Sequence, residues 1–257
     1  MINALKLRIK HNDEVIKNLN KVNLHKSFRG LPLVNPDLCN NCQKCVDICP
    51  ANAITLSPLS LDLGKCVLCG ECSIHCINKA IQFTIEHRLS STQREHLIIK
   101  NLQDSTNYLQ DAIKIRKEII NLFGKSLKLR EVSAGGCNGC ELELNASSNI
   151  NFDIGRYGVE FVASPRHADG IVITGPITNN MADALDDTWE AIPEPKIIIL
   201  VGACAISSGI FYQSEKLNRR FLDTHKIDLF IPGCPVHPMT FISGIMDFLG
   251  SKRFKSI

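Results

Sequence analysis

Cys39-Asn40-Asn41-Cys42-Gln43-Lys44-Cys45-Val46-Asp47-Ile48-Cys49-Pro50 is followed, 27 residues further on, by Cys66-Val67-Leu68-Cys69-Gly70-Glu71-Cys72-Ser73-Ile74-His75-Cys76. In each run three cysteines at steps of three precede a fourth at a step of four. A short loop with this spacing can wrap three thiolates around one cubane 4Fe–4S cluster, while the fourth points away and ligates a second cluster. The spacing therefore groups Cys39, Cys42, Cys45 and Cys76 around one cluster, and Cys66, Cys69, Cys72 and Cys49 around another. The rival class is a zinc-binding structural adaptor. Zinc sites usually read as two CxxC pairs with a longer spacer, which these runs fit poorly. A disulfide framework needs an oxidising compartment, and no segment of the chain reads as a secretory signal.

Working outward, each run leads into a short β-rich piece, Ala53-Ile54-Thr55-Leu56 and Ala80-Ile81-Gln82-Phe83. Cluster loop, short helix and strand thus occur twice, as an internal repeat. The stretch 56–63 is longer than a minimal two-cluster unit needs and is expected to form a hairpin. The expected organisation is a basic N-terminal segment over 1–29, an α+β two-cluster ferredoxin domain over 30–86, a helical arm over 87–126, and an α/β domain over 127–257. In the arm no glycine or proline interrupts residues 90–123. Ile98, Leu102, Leu109, Ile113, Ile120 and Phe123 recur at helical spacings, which predicts one or two amphipathic helices.

From residue 127 strands and helices alternate. Strands are predicted at 127–132, 159–163, 170–174, 196–201 and 228–231, and helices at about 139–148, 180–191, 214–224 and 237–249. Runs such as Ile197-Ile198-Ile199-Leu200-Val201 suit a parallel sheet buried on both faces. The expected architecture is an open, flavodoxin-like α/β sheet, with ligands beyond the carboxyl ends of the strands.

The remaining four of the twelve cysteines all follow predicted strands. Cys137 and Cys140 lie in Gly135-Gly136-Cys137-Asn138-Gly139-Cys140, Cys204 in Gly202-Ala203-Cys204, and Cys234 in Pro232-Gly233-Cys234-Pro235. Glycines beside them let backbone N–H groups approach cluster sulfurs. Taken singly, Cys204 and Cys234 read better as small buried hydrophobes. Taken with the CxxC pair they complete a third 4Fe–4S site, and twelve thiols then divide into three sets of four.

Hydrophobic content of 44%, charge of 21% and a net charge of +3 are ordinary for a globular chain and give no argument for nucleic acid. No apolar run is long enough to span a bilayer, so reduced thiols and an intracellular setting are expected. Charge is concentrated at the start, where seven Lys and Arg face Asp13 and Glu14 within residues 1–29. That segment suits an anionic membrane surface or acidic partner, or equally a solvated tail. Neither GxGxxG after a strand nor GxxxxGK[ST] occurs.

At this point the motifs carry a family resemblance. Gly136-Cys137-Asn138-Gly139-Cys140, Ser164-Pro165-Arg166-His167-Ala168-Asp169, Thr174-Gly175-Pro176, Gly202-Ala203-Cys204 and Pro232-Gly233-Cys234-Pro235 resemble the small subunit of membrane-bound, energy-converting nickel–iron hydrogenases, above all that of formate hydrogenlyase. That subunit is related to the 20 kDa cluster subunit of respiratory complex I. The likeness covers residues 127–249. The N-terminal half separately resembles the two-cluster ferredoxin subunit of the same complexes, including Phe28-Arg29-Gly30, so the chain looks like a fusion of the two. The CxxC spacing favours the hydrogenase branch, since complex I subunits usually carry adjacent cysteines there. The second run departs from the pattern in having Ile77 where proline is usual.

The resemblance implies an electron-transfer subunit with three 4Fe–4S clusters and no complete catalytic site of its own. Its partners would be a catalytic large subunit, hydrogenase-like or resembling the 49 kDa subunit of complex I, with further iron–sulfur and membrane subunits. The location implied is peripheral, on the cytoplasmic face of the cell membrane. It also implies a proton-relay role for Glu143, whereas elementary helix electrostatics explains Glu141 and Glu143 as helix-start charges. Arg166 and His167 are candidates for raising the potential of a nearby cluster, or are plain loop residues. Asp153, Asp183, Asp186 and Asp187 read as loop or helix-start residues, and His75 has no partner pattern.

Overall fold

The computed structural model describes residues 24–111, 121–123 and 126–250, together with Lys6, Ile9, Ile16, Asn18 and Val22. The N-terminal part is built from the predicted repeat. Strand β1 (Pro32–Val34) leads into the first cysteine run, helix α1 (Lys44–Asp47) and strand β2 (Ile54–Thr55). After β3 (Ser60–Asp62) come the second run, α2 (Glu71–His75) and β4 (Ile81–Phe83), which pairs antiparallel with β1. The expected hairpin over 56–63 joins β2 to β3. Most of residues 1–29 lies outside the described residues.

The stretch after residue 90 differs from the helical expectation. Ser91 exchanges backbone hydrogen bonds with Phe230, residues Arg94–Leu97 form a 3-10 turn, and Ile98–Ile99 make β5, paired with β3. The physical reason is burial. Leu97 and Ile99 are 0% and 1% exposed, so they are core residues of a small sheet and not a stripe along a helix. The helix begins only at α3 (Leu102–Asp111). Ile113 and Ile120 of the expected stripe lie outside the described residues, and Phe123 is buried.

The C-terminal part is a five-stranded parallel sheet of β6 (Leu127–Ser133), β7 (Val159–Phe161), β8 (Gly170–Thr174), β9 (Ile197–Val201) and β10 (Leu229–Ile231), in the order β7-β6-β8-β9-β10. This is the flavodoxin-like order with its switch point between β6 and β8. Every residue of β8 and β9 is buried, which is why both strands are almost wholly Ile, Val and Leu. Gly170 is required by the close approach of β9, because a Cβ there would stand 2.4 Å from the Ile197 side chain.

Alternating residues divide the sheet between two cores. Val172, Ile199 and Val201 face α4 (Gly139–Ser147) and α8 (Pro238–Phe248). Ile171, Ile173, Ile198 and Leu200 face α5 (Asn179–Glu190) and α7 (Arg220–Thr224), and the same core runs on without a break into Leu61, Leu63 and Leu97 of the N-terminal part. Sequence periodicity missed α6 (Ala203–Ser207) and predicted a helix over 214–224, of which only α7 forms. Residues 216–218 are drawn out instead by backbone hydrogen bonds to Ile177 and Asn179 at the start of α5.

Helix α3 is fastened to this core by two side chains. Ser105 Oγ donates to the Pro32 carbonyl at 2.8 Å, and the buried Tyr108 hydroxyl donates to the Leu89 carbonyl at 2.7 Å. Tyr108→Phe leaves a buried carbonyl without its partner. The expected loss is about 1–3 kcal/mol of stability, read from the urea midpoint of the anaerobic protein.

Candidate metal centres

The two N-terminal cysteine runs fold into matching loops. Asn41 and Leu68, Gln43 and Gly70, and Asn52 and Lys79 are pairs 27 residues apart, and all six have positive φ. Left-handed residues at these points turn the backbone inward, so that its N–H groups face the sulfurs. Ala53 and Ala80, again 27 apart, donate to Cys49 and Cys76 at 3.3 and 3.2 Å, and Leu68 donates to Cys66 at 3.3 Å.

The eight sulfur-bearing residues surround two cavities. Cys39, Cys42, Cys45 and Cys76 line one of them together with Leu38, Leu59 and Ile81. Cys49, Cys66, Cys69 and Cys72 line the other, with Ile54, Leu61 and Phe83. Burial first, and then the neighbouring sulfurs, push Cys66 and Cys72 up to about 12. Cys45 is raised by the same causes, with Cys39, Cys42 and Cys76 as its sulfur neighbours. Cys72 also feels Cys45, so the two sets adjoin.

The third set stands at the carboxyl ends of β6, β9 and β10. Cys137 lies in the loop after β6, Cys140 in the first turn of α4, Cys204 in α6, and Cys234 after β10. Mutual repulsion shows their convergence: Cys140 feels Cys234 and Cys204, while Cys204 feels Cys234 and Cys137. Burial raises Cys140 to about 12 and Cys204 to about 11. Cys137 and Cys234 are exposed, so this set opens to the surface. Glycine is needed at position 202, where φ is +92° and a Cβ would stand 2.7 Å from Cys140 Sγ. Among the described residues no three Cys, His, Asp or Glu side chains stand close enough to share one metal ion.

The donor chemistry suits a polynuclear cluster. The first two sets each bring four sulfur-bearing residues around one hollow, the third brings four together at one edge of the sheet, and backbone N–H groups point at several of the sulfurs. Burial alone would keep Cys66, Cys72, Cys140 and Cys204 protonated. A strongly cationic group is what would hold them as thiolates, as metal ligation requires.

The polar surroundings of the third set only partly match the sequence reading. Glu141 is buried and turned inward, accepting from Ser133 Oγ at 2.5 Å and Thr174 Oγ1 at 2.7 Å, so it does more than stabilise a helix start. Its neighbour in space is Glu131 of β6, which sequence reading missed. Burial and the Glu141 charge lift the Glu131 carboxyl to about 7, opposed by Arg130. Glu131 Oε1 is buried with no hydrogen-bond partner among the described residues. A glutamate inside Leu127-Lys128-Leu129-Arg130-Glu131-Val132 was the available signal. Glu143 is half-buried on α4, and burial raises its carboxyl.

Also missed was Arg219, whose guanidinium donates to the carbonyls of Pro176, Cys204, Ala205 and Ile206. Arg166 and His167, by contrast, are exposed on a 3-10 turn. That turn leads to Asp169, which binds the backbone of Lys128 near the start of β6, away from the strand ends. Asp183, Asp186 and Asp187 lie within α5, and the first two pair with Arg220 at 2.6 Å. Asp153 caps a 3-10 turn, and His75 pairs with Glu71 on the surface of α2.

A family model described as "NADH ubiquinone oxidoreductase, 20 Kd subunit" matches residues 137–248, and so takes in all four cysteines of the third set. Another, described as "4Fe-4S binding domain", matches residues 32–55. A probable membrane-bound hydrogenase subunit of Pyrococcus furiosus is 36% identical over 129 residues, 50% of this chain and 77% of the relative. Formate hydrogenlyase subunit 7 of Escherichia coli is 38% identical over 136 residues, 53% of each chain. An NADH-quinone oxidoreductase subunit of Geotalea daltonii is 37% identical over 117 residues, 44% of this chain and 68% of the relative.

The raised Glu131 carboxyl has a measurable signature. Folded, it holds its proton to about 7, whereas unfolded it releases it near the ordinary 4.5. Its contribution is therefore complete below the unfolded value and lost as pH rises through the folded one. Glu131→Gln stays neutral and escapes that loss. The difference in Tm between variant and parent should move in the variant's favour between those two pH values, as followed by anaerobic thermal melts. Parallel pH profiles would mean that the carboxyl titrates normally.

Proposed function

The chain belongs, through residues 137–248, to the NADH ubiquinone oxidoreductase 20 kDa subunit family, and from that premise we propose that it is an iron–sulfur electron-transfer subunit of a membrane-associated, hydrogenase-like complex. The observation that carries this reading is the partition of all twelve cysteines into three sets of four. Cys39, Cys42, Cys45 and Cys76 would hold one 4Fe–4S cluster. Cys49, Cys66, Cys69 and Cys72 would hold a second, in an α+β ferredoxin-like domain, and Cys137, Cys140, Cys204 and Cys234 a third. When bound, the clusters supply one-electron redox chemistry. The chain supplies their order and insulation.

Contacts in the fold support a linear relay. The first two sets adjoin through Cys45 and Cys72. The second and third are joined by Ser207 of α6, whose hydroxyl donates to the carbonyl of Gly64 at 2.5 Å, two residues before Cys66. Gly64 is itself held by Asp62, which a bidentate Arg94 pair fixes at 2.8 and 2.6 Å. Exposed Cys137 and Cys234 support a third site covered by a catalytic partner, where the substrate chemistry takes place. No helix among the described residues is long and apolar enough to cross a membrane, so we assign membrane association to partner subunits and a peripheral place, on the cytoplasmic face, to this chain.

The relatives do not separate a hydrogenase from a quinone-reducing complex, since their identities run from 36% to 38%. The Cys137-x2-Cys140 spacing supports the hydrogenase branch. The family description favours the alternative, a complex I-like assembly. Nickel-binding CxxC pairs in the co-purifying large subunit would decide for the hydrogenase, and their absence for complex I.

Anaerobically reconstituted protein should hold about twelve iron and about twelve acid-labile sulfide per chain, four of each per cubane. Gly202→Ala, which forces a Cβ against Cys140, should lower both to about eight. A parent protein that already holds about eight would remove the third site.

We also assign Glu143 to proton movement beside the third cluster. Glu143→Gln removes its titrating group but keeps its size. The expected result in the complete complex is normal cluster reduction with reduced turnover. Normal turnover would leave Glu143 as a helix-start charge worth about 0.3–1 kcal/mol.

A further inference from the structure

One cation is built into the third set. Arg219 lies just before α7 and reaches back to α6. Its Nη1 donates to the carbonyls of Pro176 and Cys204 at 3.1 Å each, and its Nη2 to those of Ala205 and Ile206 at 2.7 and 3.0 Å. All four acceptors are neutral carbonyls, so they hold the positive charge without cancelling it. Its sequence neighbour Arg220 behaves in the opposite way, spending its charge on Asp183 and Asp186 at the surface. Asp223, exposed one turn further on, is the strongest charge acting on Arg219, ahead of Cys204, without a close ion pair to it. At Cys45, Cys66 and Cys72 the main influences besides burial are other sulfurs and backbone N–H groups.

We propose that Arg219 raises the reduction potential of the third cluster, as a half-buried cation bonded to the carbonyl of its ligand Cys204. The inference rests on the three-cluster reading above. Reduction adds one electron and no proton, so the reduced cluster is more negative by one charge. A fixed cation beside it stabilises that form, and partial burial limits screening by solvent. Glu141, acting on Cys140 and Cys204, pulls the other way. Arg219 thus makes the third site a better resting place for an electron arriving from the first two. The plain alternative is a strut: the same hydrogen bonds satisfy the last carbonyls of a five-residue helix.

The test is a redox titration of the reconstituted full chain with dithionite as reductant, each cluster followed by its paramagnetic signal. Arg219→Gln removes the charge and keeps hydrogen-bond donors, whereas Arg219→Lys keeps the charge and loses the fork. The expected result is a lower potential for the third cluster alone in the Gln variant, and a potential near the parent's in the Lys variant. An unmoved potential in Gln, or an equal fall in both variants, overturns the proposal in favour of the strut. Should the Gln variant lose the third cluster, the Lys variant decides: a potential near the parent's supports the charge, and a fallen one overturns it. A parent holding only about eight iron overturns the three-cluster reading and this inference together; twelve iron with unmoved potentials overturns the inference alone.

Discussion

Sulfur atoms crowded together inside a protein do not ionise willingly, and the rest of this structure is arranged around that constraint. Cys66, Cys72 and Cys140 are pushed to about 12, first by burial and then by the sulfurs and, at Cys140, the Glu141 charge around each. Holding four such groups as thiolates requires compensation, from metal charge and from backbone N–H dipoles. The chain meets the second requirement with its backbone. Paired left-handed residues at 41 and 68, 43 and 70, and 52 and 79 bend each N-terminal loop so that amides at 53 and 80 reach sulfur. Apart from Gly70 none of them is glycine, so strain is accepted in both copies of the repeat for the same end.

The third set solves the problem differently. It sits where a parallel sheet already gathers strand ends, so its ligands come from three separate segments. Carboxylates Glu131 and Glu141 lie on the β6 and β8 side, and Arg219 on the α6 side. Two of its four sulfurs are open to solvent. The N-terminal sets are lined by apolar side chains, with Cys42 alone exposed among their sulfur-bearing residues, whereas the third has charged groups of both signs around it. That contrast fits a relay that ends in a site meeting protons and a partner.

How far the sequence can be read depends on whether a signal is local. Cysteine spacing is local, and so is the Ile197–Val201 run, whose β-branched, doubly buried character leaves no alternative to a central strand. The helical expectation failed over residues 90–101 because Ile98 fits a helical stripe and a short strand equally well. Only the distant partners Leu61 and Phe230 decide between them. Glu131 was overlooked although strand alternation puts it on the face of buried Leu127 and Leu129, opposite Lys128 and Arg130; that it meets Glu141 there depends on a distant segment. Arg219 and Arg220 are adjacent and chemically identical in sequence, yet one is a clamp on α6 and the other an exposed ion-pair partner. Tertiary geometry alone separates them.

The unbroken apolar core between the N-terminal sheets and one face of the parallel sheet bears on how the molecule comes apart. Leu61, Leu63 and Leu97 share that core with Ile171, Ile173 and Leu200. Cutting between the halves would bare both surfaces at once, and the N-terminal half would keep no separate core, whereas the C-terminal half would keep the one between its sheet and α4 and α8. Two electron-carrying modules joined in this way also cannot drift apart or rock against each other. Tunnelling distance between them is set by core packing, not by a linker.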